Sequence, residues 1–114
     1  MPYKVDKPWG YEIIFAKTRK YVGKVLFVKS GESLSLQFHR KKDETIFLWE
    51  GRINLYFGDN KSNLRKIVLK KGDGFHIRPN MLHRMSALKN TYIFEVSTPH
   101  LSDVVRLEDK YGRV

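Results

Sequence analysis

GESLSLQFHRKKDETIFLWEG, residues 31–51, carries Gln37, His39 and Glu44 between two glycines, Gly31 and Gly51. Positions i and i+2 of a strand point to the same face with Cα atoms roughly 7 Å apart, so Gln37 and His39 can reach one metal ion. Residues 40–43 are polar and of hairpin length, which lays a strand beginning at Glu44 beside the one ending at His39. The best fourth donor is His83, at the end of a second glycine-led segment, GDGFHIRPNMLH, residues 72–83. The set is imidazole, carboxylate and amide oxygen without sulfur, which suits zinc, the first candidate, and also manganese, iron, cobalt or nickel.

Working outward, residues 34–39 alternate. Ser35, Gln37 and His39 share one face and Leu34, Leu36 and Phe38 the other, which separates a polar pocket side from an apolar packing side. Short strands are expected at residues 7–17, 21–30, 45–49, 52–58, 64–69, 75–77, 83–86 and 91–97, divided by Gly, Pro, Asn and Asp turns. Pro8 and Gly10 put the first of these at an edge or bulge. In YVGKVLFVKS, residues 21–30, Lys24 has the parity of Leu26 and Val28 and so is directed inside with them. Asn80 suits a turn in the left-handed conformation. In the tail, SDVV is read as the start of a short helix capped by Ser102, with Gly112 ending regular structure. Many short strands without a strong helix predict an all-β sandwich or barrel, and two glycine-led halves each ending in a histidine predict a jelly roll with the four donors inside.

The 114 residues allow a single domain, 1–114. There is no cysteine, so thiolate metal sites and disulfides are excluded. The net charge of +10 invites a nucleic-acid reading. The basic residues are dispersed, however, apart from the pairs Lys41–Lys42 and Lys70–Lys71 at expected turns, and no recognition-helix pattern accompanies them. A solvated basic surface, or a pocket for an anionic small molecule, is the better reading, with no nucleic-acid partner. No apolar run reaches the length of a membrane span and residues 1–10 lack a signal-peptide core, so the expected location is the cytoplasm.

Gly31, Gln37, His39, Glu44 and Gly51 fit the first motif of the cupin superfamily: glycine, five residues, His or Gln, one residue, His, four residues, Glu, six residues, glycine. Gly72 and His83 fit the second motif in spacing, with Arg78, Asn80 and Ala87 standing where Pro, Gly and Asn are usual. Over nearly its full length the chain resembles the C-terminal cupin domain of type II mannose-6-phosphate isomerases, which are often fused to a mannose-1-phosphate guanylyltransferase. The resemblance rests on KPWGYE (7–12), Lys24, SGESLSLQFH (30–39), PNMLHR (79–84) and SDVVRLEDKYGR (102–113). It implies a double-stranded β-helix, here without the nucleotidyltransferase half. RKKDETI, residues 40–46, departs from the family's histidine-rich run and alters the pocket rim, which bears on the substrate more than on the metal.

The resemblance further implies a divalent metal held by Gln37, His39, Glu44 and His83, a phosphorylated sugar as substrate, aldose–ketose isomerisation, and a homodimer. Lys24 is then the proton carrier, with His76 a weaker candidate that is more simply an exposed strand residue. Arg78, Arg84, Arg106 and Arg113 are the candidates for holding the phosphate as planar forks. Two other readings stand beside this one. A sugar-nucleotide epimerase or ketoisomerase cupin would work without a metal, and a non-catalytic metal or sugar sensor would keep the ligands and dispense with the proton carrier.

Overall fold

A computed structural model describes residues 2–114 as eleven strands in two antiparallel sheets, with no helix among the described residues. One sheet has the order β1 (Tyr3–Lys7), β2 (Gly10–Lys17), β3 (Val22–Val28), β10 (Thr91–Ser97), β5 (Glu44–Glu50), β8 (Gly74–Ile77). The other has the order β11 (Val105–Glu108), β4 (Leu36–Phe38), β9 (Leu82–Ala87), β6 (Arg52–Gly58), β7 (Arg65–Lys70). This is the expected jelly roll. No helix in the described chain is long and apolar enough to cross a membrane.

Both sheets supply the core. Leu26, Val28, Ile46, Leu48 and Ile93 of the first sheet meet Ile53, Leu55, Leu69, Met85 and Ala87 of the second. β10 shows why: its apolar residues recur with period two, so Ile93 is buried while Tyr92 and Phe94 face out. Each such aliphatic side chain contributes about 1.5–3 kcal/mol through removal from water. The inward positions change character along the strands. Ile93 is followed by Glu95 and Ser97 on β10, Leu26 is preceded by Lys24 on β3, Ile46 by Glu44 on β5, and Ile14 by Glu12 on β2. One end of the barrel is therefore apolar and the other polar.

The strand expected over residues 7–17 is β2, and it is preceded by a strand, β1, that was not expected. β1 turns at Pro8 and Trp9 into β2, with Lys7 opposite Gly10, because proline cannot continue the ladder. β1 takes the edge of the sheet, so β2, where Pro8 and Gly10 suggested an edge or a bulge, is internal and carries an irregularity between Ile14 and Ala16. β6 and β10 have the predicted bounds. β4 is shorter than predicted, and an isolated Ser33–Ser86 bridge precedes it. Two turns fix the joints. Gly51 links β5 to β6 at φ 105°, and a Cβ there would stand 2.4 Å from Thr91 Oγ1 and 2.6 Å from the Asn90 carbonyl oxygen. Asn80 adopts φ 67°, and its backbone N–H donates to the His39 carbonyl at 2.6 Å.

The tail differs from expectation. Residues after Ser102 form β11, not a helix, with Val105 opposite Phe38 and Arg106 opposite Gln37. The Asp103 carboxylate, which would have served a helix start, instead accepts N–H bonds from Arg40, Lys41 and Lys42 at 2.7–3.1 Å. The β-branched pair Val104–Val105 then runs into the sheet.

Candidate metal centre

β4 ends at Phe38, and the next residue, His39, is directed into the barrel; β5 begins at Glu44 and β9 carries His83 near its start. Three elements thus bring one donor each to a single point. The ligand-capable atoms of His39, Glu44 and His83 lie within 4.8 Å of one another, and all three residues are buried. Gln37 stands directly across the ladder from His83 and lines the adjoining cavity, with its Oε1 accepting from Ser35 Oγ at 2.9 Å.

The imidazoles are oriented from behind. His39 Nδ1–H donates to the Asp103 carbonyl at 2.5 Å, and His83 Nδ1–H donates to the Met81 carbonyl at 3.0 Å. Both rings therefore present Nε2 to the site. His39 Nε2 and His83 Nε2 are buried without a hydrogen-bond partner, and Glu44 Oε2, also buried, is ion-paired to Lys42 at 3.1 Å. Buried polar atoms are nearly always satisfied, so two unpaired imidazole nitrogens converging beside a buried carboxylate make this a candidate cation site. Two imidazoles and a carboxylate, with an amide oxygen close by, are a competent nitrogen and oxygen donor set for a first-row divalent ion.

The surroundings are charged. Lys42, read from the sequence as part of a solvated turn, is buried. Its Nζ lies 3.1 Å from Glu44 Oε2 and 3.1 Å from Glu95 Oε2. The correction has a physical cause: Asp103 folds the backbone of residues 40–42 inward, and two buried carboxylates need a counter-charge. Burial alone would push the Lys42 ammonium pKa down, but Glu95 and Glu44 outweigh it and raise it. Burial likewise works against ionising Glu44, yet contact with His39 and the charge of Lys42 hold its carboxyl well below the usual range. Glu95 is pushed up by burial and by the like charge of Glu44. Burial lowers His83 and favours the neutral ring that a metal ligand must be.

Beside the donors lies a cavity of about 170 Å³ lined by Trp9, Glu12, Lys24, Gln37, His39, Lys42, Glu95, Arg106 and Arg113. Lys24 is buried, as its parity with Leu26 implied, and its Nζ stands 3.4 Å from both oxygens of Glu12. Of the arginines read as phosphate holders, Arg106 and Arg113 line this cavity. Arg106 Nε is buried and unpartnered, whereas Arg113 is gripped by Asp109 through Nε at 2.8 Å and Nη2 at 2.9 Å. Arg84 bonds Glu108 at 3.1 Å in a separate recess, and Arg78 borders another depression with Asp59 and Arg65. His76 lies outside the cavity, exposed and 2.6 Å from Asp43.

Glu12, Lys42, Glu95 and Asp103 were not singled out from the sequence. Glu12 and Glu95 carried the signal that Lys24 did, a charge at an inward parity between Ile14 or Ile93 and their neighbours. Lys42 and Asp103 carried none: Lys42 sits in a polar run two residues before Glu44, and the groups that fold it inward, Asp103 and Glu95, lie more than fifty residues away.

Comparisons with known proteins agree with this architecture. Residues 1–109 match the family described as "Mannose-6-phosphate isomerase C-terminal". The chain is 30% identical to the xanthan biosynthesis protein XanB of Xanthomonas campestris pv. campestris (strain B100), over 96% of this chain and 24% of XanB, so it spans about a quarter of that relative. Among solved structures it is similar to KdgF from Halomonas sp. (TM-score 0.73, 18% identity, 85% of this chain and 87% of that one). It is also similar to the capsular polysaccharide assembling protein CapF from Staphylococcus aureus (TM-score 0.78, 19% identity, 95% and 34%). A third likeness is to oxalate decarboxylase from Bacillus subtilis (TM-score 0.79, 16% identity, 93% and 30%). A cupin jelly roll whose sequence matches one family over residues 1–109 has its place: the chain belongs to the family of mannose-6-phosphate isomerase C-terminal domains.

Proposed function

We propose that this cupin binds a divalent metal through His39, Glu44 and His83, with Gln37 as the fourth donor, and isomerises a phosphorylated sugar of the mannose 6-phosphate type. The observation that carries the reading is the convergence of three buried donor atoms, two of them imidazole nitrogens without a hydrogen-bond partner, beside a cavity that also holds an ion-paired lysine and two arginines. Family membership supports the substrate class. A bound divalent ion would supply Lewis-acid polarisation of the sugar's carbonyl group.

Aldose–ketose exchange moves one proton from C2 to C1 and one from the C2 hydroxyl to the C1 oxygen. Lys24 and Glu12 face each other at 3.4 Å in the cavity wall and pair a proton donor with an acceptor. Lys24 carries the proton and Glu12 sets its charge and direction. Arg106 and Arg113 hold the phosphate, Arg113 pre-oriented by Asp109.

Elemental analysis of the purified protein and conversion of mannose 6-phosphate to fructose 6-phosphate test the reading. His39→Ala is expected to lose the metal. Lys24→Met is expected to keep it and lose about 10²–10⁴-fold in kcat. Normal turnover by Lys24→Met removes the proton-carrier assignment, and metal retention by His39→Ala removes the site.

A further inference from the structure

A row of alternating charges runs through the polar end of the barrel: Glu12, Lys24, Glu95, Lys42, Glu44. All of them are buried. Lys24 Nζ stands 3.4 Å from Glu12, and Lys42 Nζ stands 3.1 Å from Glu95 and 3.1 Å from Glu44. Lys24 and Glu95 lie directly opposite each other on β3 and β10, both inward, which sets their Cβ atoms roughly 5 Å apart. The isomerase reading uses Glu44 as a donor and Lys24 with Glu12 as a proton pair. It leaves Glu95 without a role, and a buried carboxylate is costly. Glu95 lines the cavity. Lys42 takes its Oε2, which leaves Oε1 for what the cavity holds. Glu12 is less free: Lys24 lies 3.4 Å from both of its oxygens and Lys7 lies 3.9 Å from Oε1.

The reaction asks for a second group beside Lys24. Aldose–ketose exchange moves one proton between carbons and one between oxygens, on neighbouring atoms. An ammonium suits the oxygens, to which it donates and from which it recovers a proton, whereas the carbon-bound proton needs a base. We propose that Glu95 is a catalytic residue of the isomerisation, the base that carries the proton between C2 and C1, while Lys24 serves the oxygens. The assignment rests on the isomerase reading above. On the open-chain aldose, Glu95 Oε1 takes the proton from C2. The C2–H electron pair becomes the second bond between C1 and C2, and the carbonyl pair moves onto O1, which takes a proton from Lys24. The neutral enediol then collapses the other way. Lys24 recovers the proton of O2, the O–H pair forms the C2 carbonyl, and the carbon–carbon pair takes the proton from Glu95 at C1. Both side chains end as they began. Burial and the like charge of Glu44 push the Glu95 carboxyl up, which makes it the stronger base.

Wild type and Glu95→Gln, compared on mannose 6-phosphate for kcat, KM, metal content and the isotope effect of a C2-deuterated substrate, test this. Glu95→Gln keeps the shape of the side chain. It is expected to retain the metal content and KM of wild type while kcat falls about 10²–10⁴-fold. Its residual turnover is expected to show a larger deuterium effect than wild type, because transfer of the carbon-bound proton has become the slow step; a merely structural loss leaves that effect unchanged. Glu95→Asp, checked for a native far-UV spectrum, holds its carboxylate one methylene further back. It is expected to fall between the two in kcat, with a raised deuterium effect, and it keeps the test decisive should the glutamine variant fail to fold. Normal turnover by Glu95→Gln, metal loss accompanying its fall in kcat, or an unchanged deuterium effect overturns the assignment alone. A metal-loaded wild type that leaves mannose 6-phosphate unconverted overturns the isomerase reading beneath it, and the assignment with it.

Discussion

Asp103 shows how one side chain can organise a site without entering it. Its carboxylate collects the N–H groups of Lys41, Lys42 and Arg40, which bring its pKa down to about 2, while its carbonyl fixes the His39 ring. A carboxyl depressed in the folded state adds stability that is present above its unfolded value and is lost as pH falls through the folded one. Asp103→Asn should therefore be less stable than wild type by a constant amount above about pH 5. The gap should close as pH falls from about 4 to about 2. Urea titrations of both proteins across that range check this, and a gap that persists at pH 2 refutes it. At this scale the sequence was legible where a residue breaks a local pattern. Lys24 stood out among apolar neighbours and His83 by its spacing. Lys42 reads as one more lysine in a polar turn, because what buries it is Glu95 and Asp103, and no local pattern announces partners so distant.

Among the elements, the joints are more demanding than the strands. β6 and β10 could be read directly from their alternation, since a half-buried strand shows its period in the residues themselves. The hairpin of β1 and β2 and the strand β11 could not, because each depends on which backbone lies alongside. β11 pairs with β4, over sixty residues away, and the β preference of Val104 and Val105 becomes a strand only against that partner. The β5–β6 joint is the least tolerant of change. Gly51→Ala puts a Cβ against Thr91 and the Asn90 carbonyl in a backbone conformation that L residues avoid. A loss of about 1–3 kcal/mol is expected from the backbone strain alone, measured by equilibrium unfolding. Gly31→Ala, with nothing within 4 Å of the added carbon, should lose less.

For the whole molecule, the jelly roll divides its interior into an apolar end that sustains the fold and a polar end that holds the site. If the polar end takes a metal, folding and binding are linked, since the donors converge only in the native chain. A divalent ion at 100-fold excess over its Kd should add about 2.7 kcal/mol and raise Tm by several degrees. Scanning calorimetry before and after chelation, with His83→Ala as control, measures the increment; a Tm indifferent to every divalent ion tried would count against the metal reading. Fold class and the converging donors were readable from residues 31–51 and 72–83, where ligand spacing is local. The charged shell around them was not, because it is drawn from β2, β10 and the tail.

The attachment of the tail also ties two parts of the site to one segment. Asp103 reaches back to residues 40–42, and Lys110 and Tyr111 reach back to Glu32, across 61 to 79 positions. A chain cut before residue 101 would lose the support of the His39 ring and both cavity arginines, Arg106 and Arg113, together. One segment thus governs both the orientation of a candidate donor and the charge of the cavity wall.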